Sequence, residues 1–139
     1  MAKFKFKLQK FLEYREWQVD RAKHEFSQAM ARQLEVVHEI GQHALRFERA
    51  LQGQPSDVPN RLALETYLGR LSEERRDMDT LLGILTDETN AAKERWLLAK
   101  RDFQAVEKLR DGARDEWELD QVRREQAELD EWAVTRRAA

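Results

Sequence analysis

The sequence predicts an all-α protein. Two long helices fold back on each other as an antiparallel coiled-coil hairpin, the second helix longer and overhanging. Three observations carry this. The 139 residues include only five Gly and two Pro but 37% charged residues, a composition that favours long helices over strands. An apolar repeat stepping alternately by four and three runs through most of the chain, which is the period of a coiled-coil seam. One strong break, Gly53-Gln54-Pro55-Ser56-Asp57-Val58-Pro59-Asn60, divides that repeat in two.

The first helix spans about 4–52. Its seam is Leu8, Leu12, Arg15, Val19, Ala22, Phe26, Ala29, Gln33, Val36, Ile40, His43, Phe47 and Ala50, ten of thirteen apolar. A two-helix seam needs only about two apolar residues in seven, so a chain this polar can still build one. Strands would need period two, and only Phe4-Lys5-Phe6-Lys7-Leu8 hints at it. The turn covers 53–59. Either Asp57 caps the next helix with Pro59 in its first turn, or Asn60 caps it directly.

The second helix spans about 60–137. Its seam is Leu64, Leu68, Leu71, Arg75, Met78, Leu82, Leu85, Thr89, Ala92, Trp96, Ala99, Phe103, Val106 and Arg110, eleven of fourteen apolar. Small and large seam residues alternate on both helices, which suits one specific antiparallel pairing. The short connection also makes the neighbours antiparallel. The whole chain, 1–139, reads as a single coiled-coil domain and as a monomer when free.

Length then makes the hairpin lopsided. At the standard rise the helices measure about 70 and 115 Å. If residue 52 faces 60, residue 4 faces about 108, and the rest of helix two is unpaired. That overhang holds Trp117, Leu119, Val122, Leu129, Trp132 and Val134, with nine acids against three Arg between Asp111 and Glu131. Exposed aromatics on an unpaired helix suggest a partner. Gly41, Gly69, Gly83 and Gly112 lie inside the helices and weaken them. Gly41 falls opposite about residue 71, near Gly69, where a bend or close approach is one reading.

Several function classes are excluded or disfavoured. The net charge of −2 and mixed-sign helix faces give no stripe for nucleic acid. There is no cysteine, hence no disulfide, thiolate ligand or Cys nucleophile. No run approaches the ~20 apolar residues of a membrane span. His38 and His43 are five apart and do not share a helix face, and His24 stands alone. The scattered glycines form no phosphate loop. A two-helix seam offers no closed pocket to raise a carboxylate pKa. The chain is therefore read as a non-enzyme without metal or cofactor. The Lys- and Phe-rich start (Lys3 to Phe11) leaves a contact with a partner or with anionic lipid open.

Three stretches resemble one family. Phe4 through Glu16, Trp96 through Asp102 followed by Val106-Glu107-Lys108-Leu109-Arg110, and Glu125-Gln126-Ala127-Glu128-Leu129-Asp130-Glu131-Trp132-Ala133 occur in the order and spacing of the flagellar export protein FliJ family. Injectisome stalk proteins of virulence type III secretion look similar, and a generic coiled-coil scaffold or chaperone is the other reading. The resemblance implies a cytoplasmic, non-catalytic, stalk-like component of the flagellar type III export apparatus. It would be held at the inner face of the cell membrane through that apparatus. Implied partners are the hexameric export ATPase, the cytoplasmic domain of the membrane export gate, and export chaperones. Carried onto this sequence, Phe6, Phe11, Trp117, Leu129, Asp130 and Trp132 would contact the ATPase. Ile40, Phe47, Tyr67 and Leu71 would contact the gate. Of these four only Tyr67 lies off the seam.

Overall fold

The computed structural model describes residues 2–53 and 55–138; Gln54, within the expected turn, lies outside the described residues. Two helices account for 92% of the described residues, with no strand among them: α1 (Gln9–Gln52) and α2 (Val58–Ala138). They pack against each other, antiparallel, in each of two compact units. One unit joins the chain up to Asp20 with the chain from Leu98 onward, and the other is Arg21–Leu97. The fold class expected from the heptad period is thus the one observed.

The seam carries the core. The buried apolar residues are Leu12, Ala29, Val36, Leu71, Leu85, Ala92 and Val106, joined by polar His43 and Thr89. Every one is a predicted seam position. Phe26 and Trp96 stack with ring centroids 5.7 Å apart and planes 12° from parallel. Ala29 and Ala92 are each 3% exposed, so the small residues bring the backbones together beside the large pair. Two predicted seam positions are exposed: Leu8, which precedes α1, and Arg75, whose Nε lies 3.0 Å from Asp79 Oδ1.

The first helix starts at Gln9, later than the expected position near 4. Gln9 N donates to Phe6 O at 3.2 Å and Leu12 N to Leu8 O at 2.9 Å, which opens the helix. The residues before it follow the period-two hint. Phe4 and Phe6 are half-buried while Lys3, Lys5 and Lys7 are exposed. An alternating pattern buries its phenyl groups on one side only in an extended chain, and Phe4 finds Trp117 there, centroids 6.0 Å apart.

Across the link, the residue that caps the start of α2 is Asp57. Its carbonyl accepts from Arg61 N at 3.1 Å, and its carboxylate accepts from Asn60 Nδ2 at 2.8 and 2.9 Å. Pro59 then falls in the first turn, where its missing N–H leaves no bond unmade.

The pairing register is displaced from the expected one. Arg15 meets Asp102 and, in the other unit, Gln33 meets Thr86 and His43 meets Glu74. The simple fold-back placed about 97, 79 and 69 opposite those three, so each partner lies five to seven residues further along α2. Within the unit that holds it, the link is offset in the same sense. Arg61 Nε donates to Pro55 O at 3.3 Å, and Leu51 and Pro55 share a surface hollow with Leu64, Glu65 and Leu68. The first turns of α2 therefore reach past the end of α1 instead of turning straight back.

Candidate binding surfaces

The displaced register changes what is free at the end of α2. Burial along α2 continues beyond Arg110 through Ala113, Trp117 and Gln121, and from Val122 to Ala138 every residue is exposed. The overhang thus begins near 122, not near 111. Trp117 is not on it. The Trp117 ring packs against Phe4, and the Arg114 guanidinium lies 5.7 Å from the Phe4 ring centroid. Arg114 and Trp117 are three apart, on one helix face. Together they clamp the extended N-terminal segment onto α2. Phe6 sits half-buried in that segment.

Charge redistributes as well. Between 122 and 138 the acids are Glu125, Glu128, Asp130 and Glu131, and the bases are Arg123, Arg124, Arg136 and Arg137. Four minus four leaves the free end neutral; the acidic excess lies in 111–120, on the paired stretch. What distinguishes the free end is exposed apolar surface: Val122, Leu129, Trp132 and Val134 are each about 60% exposed or more. Arg136 covers one face of Trp132 at 5.0 Å, and Asp130 accepts from Gln126 Nε2 at 3.2 Å. Both contacts are within one helix and on its surface, so a partner can replace them at little cost.

Phe11, at the start of α1, is 40% exposed. The Arg15 guanidinium lies 5.0 Å from its ring centroid, and Arg15 Nη1 reaches Gln18 at 3.0 Å and Asp102 at 3.5 Å. A seam arginine is accommodated here because its head reaches the seam edge while its stem fills the layer. Beside it, Tyr14 and Trp17 stack at 6.1 Å, both about half exposed. Sequence reasoning did not single out this pair. Its signal was present: two aromatics three apart, both off the seam.

In the unit that holds the turn, Ile40 and Phe47 are half-buried and Leu71 is 3% exposed. These three serve the seam. Phe47 and Leu71 also wall an open groove of about 400 Å³, together with His43, Ala44, Ser72, Arg75 and Arg76. Tyr67 stands apart, 41% exposed. The floor of the groove is apolar and its rim carries two arginines. No close approach involves the glycines: a Cβ placed at Gly41 or Gly69 meets nothing within 4 Å.

Among the described residues no group of His, Asp and Glu is arranged to hold a metal ion. Among the described residues no helix is long and apolar enough to cross a membrane. The chain offers surfaces for protein contact: a helix end, an aromatic-bearing start and a groove near the turn.

No curated protein and no solved structure is matched by this chain. The family model described as Flagellar FliJ protein matches residues 4–138, almost the full length and both helices. The chain therefore belongs to the flagellar FliJ family, components of the flagellar type III protein export apparatus.

Proposed function

We propose that this protein is a non-catalytic stalk that binds and activates the hexameric export ATPase. It links that ATPase to the cytoplasmic domain of the membrane export gate and to export chaperones. It works in the cytoplasm, at the inner face of the cell membrane. The observation that carries the ATPase contact is the free end of α2. Leu129 and Trp132 have no second helix beside them, and exposed apolar surface of this kind is stabilised by a partner. Asp130 lies between them, and Phe6, Phe11 and Trp117 lie in the same unit. For the gate, Tyr67 is the exposed contact, and Phe47 and Leu71 are reached through the groove, with Ile40 supporting the seam.

The test is ATP hydrolysis by the cognate ATPase with and without the protein. Stimulation is expected, and Trp132→Ala should reduce it while leaving the melting temperature unchanged, because Trp132 packs on nothing across the seam. No stimulation together with no co-purification refutes the reading.

A further inference from the structure

Helix α1 carries a second apolar stripe that the core does not use. Met30, Leu34 and Val37 are 41%, 61% and 47% exposed. The same four-and-three spacing continues through Gly41 and Ala44, both exposed. This is a second heptad seam on the flank of the first. Lys23 and Ser27 extend it at one end, and Glu48 closes it at the other. Gly41 weakens the helix, yet nothing inside the chain needs the space it leaves. The exposed Leu81 and Ile84 of α2 form no equivalent stripe, because Glu88 interrupts them four residues on.

We propose that this stripe pairs with the same stripe of a second copy of the chain, antiparallel, about a two-fold axis, in place of the free monomer that the seam pattern alone suggests. The pattern is self-complementary. With Leu34 of one copy beside Val37 of the other, heptad spacing brings Met30 to Gly41, Ser27 to Ala44 and Lys23 to Glu48. Each longer side chain meets a smaller residue, and the unlike charges meet at both ends. A two-fold contact uses one patch on both copies and closes on itself, so it gives a dimer and not a filament. Opposite charges at the ends also disfavour the parallel arrangement, which would set Lys23 against Lys23 and Glu48 against Glu48. The inference does not rest on the export reading, and a failed ATPase assay leaves it standing.

The chain has no cysteine, so introduced cysteines report the pairing directly. In the proposed register two copies of Met30→Cys lie eleven residues apart along the axis, about 16 Å, as do two copies of Gly41→Cys. Disulfides need Cα atoms within about 7 Å. Under oxidation, an equal mixture of the two full-length variants should form the mixed disulfide, and neither variant alone should crosslink. Sedimentation of the unmodified protein should show a concentration-dependent dimer. Leu34→Glu should weaken it about a hundredfold, since two leucines are lost per dimer, each carrying roughly a tenfold share. Circular dichroism should show its helix content unchanged. A monomer mass at every concentration, self-crosslinking of Met30→Cys, or a dimer indifferent to Leu34→Glu each overturns the proposal. So does a stripe that binds only another export component.

Discussion

The most buried side chain among the described residues is a histidine, and replacing it should stabilise the fold. His43 is 2% exposed and occupies a seam position. Its Nε2 lies 3.5 Å from Glu74 Oε2 but makes no hydrogen bond. A buried polar atom left without a hydrogen bond costs about 1–3 kcal/mol. The Glu74 side chain is 51% exposed, so its attraction is screened and contributes at most about 1 kcal/mol. His43→Leu keeps a side chain of similar size between Phe47 and Leu71 and removes the orphaned nitrogen. The net gain is about 1–2 kcal/mol, or roughly 3–6 °C in melting temperature for a chain of this length. Thermal unfolding followed by helix circular dichroism measures it, and Glu74→Gln alone should cost less than about 1 kcal/mol. A lower melting temperature for His43→Leu would refute the reasoning, since the Glu74 contact would then outweigh the desolvation.

Three further outcomes follow from the same geometry. A Cβ at Gly83 or Gly112 meets nothing within 4 Å, so Gly83→Ala and Gly112→Ala should each stabilise the protein by about 0.5–1 kcal/mol in denaturant titration. Leu71→Ala should cost about 2–5 kcal/mol, as a buried leucine does, whereas the exposed Tyr67→Ala should stay within about 0.5 kcal/mol; gate-binding loss in Tyr67→Ala can then be read as lost contact and not as unfolding. Phe4→Ala removes the ring that packs on Trp117, worth about 0.5–1.5 kcal/mol, so tryptic cleavage at Lys5 and Lys7 should quicken about two- to tenfold while the melt of the helices is unmoved.

Much of this fold is legible in the sequence, because a seam is a one-dimensional object. Periodicity alone identifies Leu12, Ala29, Val36, Leu85, Ala92 and Val106 as core, and His43 as a polar layer within it. The register is not legible in that way. It depends on how Leu51, Pro55 and Arg61 pack around the link, and a link of a few residues can place two helices several positions apart at the same seam pattern. The Phe4–Trp117 contact illustrates the consequence. The heptad period puts Phe4 in a helix and the simple fold-back puts Trp117 on an unpaired end; the first fails because α1 starts only at Gln9, the second because the register is displaced.

The candidate surfaces divide along the same line. Leu129, Asp130 and Trp132 fall on the uncovered end of α2 both in the simple fold-back and in the displaced register. Ile40, Phe47, Tyr67 and Leu71 are separated into seam and surface by the same heptad count that separates them in the structure. By itself the sequence determined the helices, their apolar faces and the excess length of α2, because period and break are local properties of the chain. Only the tertiary structure decided where α2 becomes free, that the free end is neutral and not acidic, and that the first residues are extended against Trp117. Those depend on contacts between residues a hundred positions apart, such as Phe4 and Trp117, which no local period encodes.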